Sequence, residues 1–192
     1  MGLEFFIIFL PILLISITIH EFAHAKAADI LGDPTARYAG RLTLNPISHI
    51  DPLGFLALIL FRIGWAKPVP INPYNFRNPE RGMMIVGIAG PAANFMLAWF
   101  LAVILRNVPL NNLFWINLLQ STIWLNLALM IFNLLPVPPL DGSRIYTRFL
   151  PLNWQITLER YGFFILIGIL IFPPTQELLF YAINFLFGIL VG

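Results

Sequence analysis

Cysteine is absent from all 192 residues, so the chain forms no disulfide and offers no thiolate to a metal, leaving His, Asp and Glu as its strong ligands. Charge is scarce too. Only 10% of residues are charged, and the basic ones behind the net +2 are scattered through loops without a dense run or an interleaved aromatic platform, which argues against a nucleic-acid partner. Long polar stretches are also missing. With 59% hydrophobic residues and a mean hydropathy of +0.83, the composition lies outside that of a soluble domain and leaves no room for a sizeable one. The lipid bilayer is the expected solvent, so any substrate meets the protein in or at the membrane. No internal repeat of useful length is visible.

The first 19 residues are apolar like a signal peptide, yet they lack a basic leader and a small-residue cleavage site, so they are expected to be retained. Residues 3–31 predict one long helix, stopped by Gly32-Asp33-Pro34. A short strand is expected over residues 38–44, before the Asn45-Pro46 turn. Residues 52–65 are apolar but span only roughly 20 Å as a helix, which suits a segment that dips into the membrane and returns. Residues 82–105 and 113–135 are long enough to cross, and Pro136, Pro138 and Pro139 stop the second crossing. Residues 154–172 and 176–191 predict a final helical hairpin turning at Pro173-Pro174. The expected fold class is an all-α multi-pass membrane protein, with about five transmembrane helices, a short re-entrant segment and a small β element near the active site. It forms one domain over residues 1–192, with a core over 1–150 and a C-terminal hairpin over 154–192.

Loop charges give an orientation. If the short segment does not cross, Lys26, Arg37, Arg41, Lys67, Arg77, Arg81, Arg144, Arg148 and Arg160 share the cytoplasmic side, only Arg106 lies outside, and Arg62 is ambiguous. The amino terminus is then expected outside a cell membrane.

His20-Glu21-Phe22-Ala23-His24 carries the strongest chemical signal. On a helix, two histidines four residues apart share one face at the separation that lets both imidazoles hold one zinc ion, with Glu21 beside the metal and able to take a proton from a water there. Such a pattern arises by accident in roughly one chain in several hundred. Hydrogen bonding between helices would explain buried histidines without explaining their spacing. A catalytic zinc normally has three protein ligands and an open position. His49 and several acids are candidates for the third. Asp141 is the best, because it follows a membrane helix on a proline-stiffened strand over residues 136–140, with Gly142 permitting a tight turn. Two full crossings between His24 and Asp141 return both to the same membrane face. An ordinary turn aspartate is the competing reading.

Taken with Gly90-Pro91-Ala92-Ala93-Asn94 and the run from Asn133 through Pro136-Val137-Pro138-Pro139-Leu140 to Asp141-Gly142, the sequence resembles the site-2 protease family of intramembrane zinc metalloproteases, particularly its short prokaryotic members without a PDZ domain. Gly40-Arg41-Leu42-Thr43-Leu44-Asn45-Pro46, His49-Ile50-Asp51-Pro52 and Trp65-Ala66-Lys67-Pro68-Val69-Pro70 share that resemblance, which covers about residues 16–148. It implies one Zn2+ per chain on His20, His24 and Asp141, with Glu21 activating water and hydrolysis of peptide bonds in transmembrane or membrane-associated proteins. It also implies that Asn133 steadies the oxyanion, that Asn94 contacts substrate, and that residues 38–44 offer a sheet edge to an unwound substrate. Close helix packing is the competing account of both asparagines. The oligomeric state is not legible. Two rivals remain: a metal transporter, which needs a polar path to the far side, and a catalytically silent assembly factor.

Overall fold

The computed structural model describes residues 8–61, 64–146 and 149–192. The expected start of the first helix at residues 3–7, and the loop charges Arg62 and Arg148, lie outside the described residues. The chain divides into two compact units, Met1–Gly90 and Pro91–Gly192.

In the first unit, α1 spans Leu10–Ile30. It stops at Gly32, whose φ of 103° is open to glycine, with the Gly32 N–H bonded to the Asp29 carbonyl and the Asp33 N–H to that of Ala28. The fully enclosed Asp33 carboxylate then ties this turn to the next loop. It accepts from the Asn72 N–H at 2.7 Å, the Asn75 amide at 2.7 Å, the Thr35 N–H at 3.1 Å and the Thr35 hydroxyl. Burial alone would raise its pKa, but these donors outweigh burial and hold it below the ordinary carboxylate value.

The expected strand over residues 38–44 does not form. Thr35–Tyr38 is instead one helical turn, α2, closed by Gly40 at φ 67° with the Gly40 N–H on the Arg37 carbonyl and the Arg41 N–H on that of Ala36. This glycine stop satisfies the carbonyls that a strand would have offered to a neighbour. No strand occurs among the described residues, only an isolated antiparallel bridge between Ile50 and Ala66. Asp51 caps α3, Pro52–Phe61, by accepting from the Gly54 N–H at 2.8 Å. Ten residues make about 15 Å of helix, too short to cross and in keeping with a re-entrant segment.

A single helix, α4 (Pro79–Asn107), runs through the boundary between the units. In the second unit, Ala98 and Ala102 of α4 form a buried cluster with Ile123 and Leu127 of α5 (Leu113–Asn133) and Ile183 of α8 (Pro173–Val191). Small alanines allow close helix approach. The Trp124 indole N–H donates to Asn184 at 3.1 Å and joins α5 to α8.

The segment 136–140 is made of bends and a turn, closed by the Leu140 N–H on the Val137 carbonyl at 2.9 Å, rather than an extended strand, and Asp141 begins a short helix, α6 (Asp141–Tyr146). Gly142 does not make a turn there. A Cβ on it would lie 2.3 Å from the Leu134 carbonyl oxygen and 2.4 Å from that of Leu135, so close backbone approach is what demands glycine. α7 (Leu152–Ile171) and α8 form the expected terminal hairpin.

Among the described residues, α4, α5, α7 and α8 are long and apolar enough to cross a membrane. Of the about five expected, the structure supports these four; over its described residues α1 falls below the same measure, because Ser16, Thr18, His20, Glu21, His24, Lys26 and Asp29 dilute its apolar run. Trp99, Phe100, Phe163, Phe164, Phe180 and Phe185 stand exposed on the long helices, a surface suited to lipid. The protein is mostly helical and membrane-bound.

Candidate metal centre

The helical spacing of His20 and His24 has the expected consequence. Both are buried, their ring centroids lie 4.6 Å apart, and their Nε2 atoms face each other at 3.0 Å. Two imidazole ligands of a tetrahedral zinc, each at 2.0–2.1 Å, would have nitrogens about 3.3 Å apart, so the pair fits one ion with a shift of a few tenths of an ångström.

Two features outside α1 hold this pair. The His24 Nδ1 lies 2.6 Å from the Val86 carbonyl oxygen, and since a carbonyl only accepts, Nδ1 carries the proton and Nε2 keeps its lone pair for a metal. Opposite the imidazoles sits Gly90. A Cβ there would lie 2.4 Å from His24 Nε2 and 2.6 Å from His20 Nε2, so even the smallest side chain would fill the space that the ligand atoms face. This cradle, two facing ring nitrogens on one side and a missing side chain on the other, fits a bound zinc.

Glu21 points its carboxylate to the loop after α3, where the Val69 N–H donates to it at 3.1 Å. Trp65, at the start of that loop, is exposed. The contact with Glu21 was not foreseen. A signal for it existed: Pro68 and Pro70 lack an N–H, so Val69 is the one backbone donor between them. Gly90 enters the sequence reading only within the Gly90-Pro91-Ala92-Ala93-Asn94 motif, and Val86 does not enter it.

In the second unit, Asp141 is buried at the start of α6 and Asn133 is half-buried at the end of α5, where its amide donates to the Leu129 carbonyl at 3.0 Å. That bond uses one of its two N–H groups. Asn94 is fully enclosed and donates to Asn126 at 2.8 Å, while Asn126 donates in turn to the Thr122 carbonyl at 2.8 Å. Sequence reading missed Asn126, which no motif marks. His49 is held at 1% exposure with Nε2 on the Thr43 carbonyl at 2.8 Å, a position inside the loop fold.

Residues 107–171 match the profile of peptidase family M50. The Bacillus subtilis (strain 168) protein YwhC, whose name provisionally describes a zinc metalloprotease, is 40% identical over 183 residues, covering 90% of this chain and 84% of that one. Rip2 of Mycolicibacterium smegmatis, named in the same way, is 32% identical over 183 residues, 91% of this chain and 70% of its own. The zinc metalloprotease MJ0392 of Methanocaldococcus jannaschii is 26% identical over 144 residues, 73% of this chain and 34% of its own. No solved structure matches. Identity of this order along most of both chains, joined to a paired-imidazole site on an apolar helical protein, means that this chain belongs to peptidase family M50, the site-2 proteases, and is a membrane zinc metalloprotease.

Proposed function

We propose that the protein hydrolyses peptide bonds of transmembrane or membrane-associated proteins, using one zinc per chain on His20, His24 and Asp141. The observation that carries the reading is the opposed imidazole pair over Gly90, with the His24 proton held on Nδ1 by the Val86 carbonyl so that Nε2 presents its lone pair. Asp141 supplies the third donor. Its support is its chemistry, its burial and its place in the sequence run shared with the family. When bound, zinc supplies Lewis acidity for the scissile carbonyl and the attacking water.

The chain's own residues do the rest. Glu21 takes the proton from the attacking water and returns it to the leaving amine, the role of a carboxylate beside paired imidazoles. The Val69 N–H fixes which way that carboxylate faces. Asn133 has one amide N–H beyond the one it gives to Leu129, and that second donor steadies the oxyanion. Asn94 acts on substrate through the α4 segment it anchors rather than by direct contact, given its burial against Asn126. The single domain has its amino terminus outside and the metal site toward the cytoplasm, as the loop charges favour.

Purified wild type and variants, incubated in micelles with a fluorophore-labelled single-span peptide that the wild type cleaves, test this reading. Glu21→Gln keeps its zinc and loses cleavage; Asp141→Ala loses most of its zinc. Cleavage by Glu21→Gln at the wild-type rate removes the base, and full zinc content in Asp141→Ala removes the third ligand. Uptake of zinc into proteoliposomes, with no peptide cleaved, would favour transport instead.

A further inference from the structure

Val69 touches Glu21 from a loop that is itself braced. The Lys67 peptide, two residues earlier, is held on both sides: its N–H donates to the His49 carbonyl at 2.9 Å, and its carbonyl accepts from the Arg41 guanidinium at 2.6 Å. Pro68 follows directly and fixes its own φ, so little freedom remains between the clamped peptide and the Val69 N–H. The Val69 side chain is buried with Ala25 of α1 and Ala36 of α2, which returns the loop to the helix that carries Glu21.

Arg41 is the unusual member. It is 8% exposed, and its buried Nε has no hydrogen-bond partner. Among the described residues it meets no carboxylate; its charge is spent on a neutral carbonyl. Removing a cation from water for that purpose is unfavourable unless the carbonyl must stay still. Its backbone is equally fixed, since the Arg41 N–H closes the end of α2 on the Ala36 carbonyl at 2.8 Å. The glycine stop at Gly40 therefore serves to aim a guanidinium.

We infer that Arg41 is a positioning residue for proteolysis: by clamping the Lys67 peptide it holds the Val69 N–H where the Glu21 carboxylate must sit to take the proton. The inference rests on Glu21 being the base. It differs from simple loop stabilisation in what should change. Loss of the clamp leaves the histidines and their cradle untouched, so zinc and substrate still bind while the carboxylate wanders.

The test compares Arg41→Gln, Arg41→Lys and Val69→Pro with wild type in the peptide assay above, with zinc content measured on each sample. Val69→Pro keeps an apolar side chain and deletes the N–H, while also fixing φ in a loop already held by Pro68 and Pro70, so it probes the same strut if Arg41→Gln does not fold. Arg41→Gln and Val69→Pro should each lower kcat roughly 10- to 100-fold with KM and zinc content unchanged, as loss of a hydrogen bond to a charged group predicts. Arg41→Lys should fall between them and wild type, and the double variant should be no slower than the slower single one. Effects that multiply in the double variant, a kcat within twofold of wild type, or zinc lost in step with activity would overturn the inference. Glu21→Gln in the same series separates the two readings. If it still cleaves, the base assignment fails; if it is dead while the Arg41 and Val69 variants are fully active, only the positioning role fails.

Discussion

Gly90 concentrates the physics of the site in one missing methyl group. Alanine is the better helix former by about 0.5–1 kcal/mol, so on helical propensity alone Gly90→Ala should stabilise α4. A Cβ at 2.4–2.6 Å from both Nε2 atoms says otherwise for the metal. The prediction is a variant that folds with its helix content intact and binds zinc at least about tenfold more weakly, with activity lost in proportion. Metal titration beside circular dichroism checks it, and unchanged zinc affinity would mean that the cradle is not where the ion sits. His20 and His24 were legible in the sequence because spacing on one helix is set by local geometry. Gly90 was visible as part of a motif but its use was not, since what it makes room for lies on another helix.

At the scale of elements, turns decide where the loops go. Asp33 gathers four donors from residues 35, 72 and 75, and joins the end of α1 to the loop that precedes α4. Its folded pKa is depressed, so its contribution to stability is present above the unfolded value and disappears as pH falls through the folded one. Asp33→Asn should therefore lower the melting temperature at pH 7, by a loss of about 2–4 kcal/mol, and the gap to wild type should narrow as the pH drops below about 4. A gap that stays constant down to pH 3 would rule out this linkage. The strand expected over residues 38–44 failed for a related reason: alternation of apolar residues is a weak signal, and one glycine at positive φ turned the segment into a helix stop. Residues 136–140 likewise follow their proline content into bends, because a strand needs a partner edge that nothing local supplies.

For the whole molecule, the absent cysteines become an experimental tool. Tyr74, 91% exposed in the loop before α4, and Asn107, exposed at its far end, flank a 29-residue helix that can cross a membrane. Single cysteines at these positions should be labelled by an impermeant maleimide from opposite sides: Tyr74→Cys from the cytoplasm, Asn107→Cys from outside. Labelling of both from one side would show that α4 does not cross. α1 falls outside that set of four over its described residues, because the polar residues that give the helix its chemistry are the ones that lower its hydropathy.

By itself the sequence determined the solvent, through its apolar bulk, and the ligand chemistry, through the absence of thiols and the His-Glu-x-x-His spacing, because both are properties of composition or of a single helix turn. Tertiary structure alone decided which nitrogen of His24 carries the proton and which way Glu21 faces. Those choices are made by the Val86 carbonyl, 62 residues from His24, and the Val69 N–H, 48 residues from Glu21. Apart from proline, which marks where an N–H is missing, backbone groups are the same at every position; only the folded path brings a given carbonyl or amide to a given side chain.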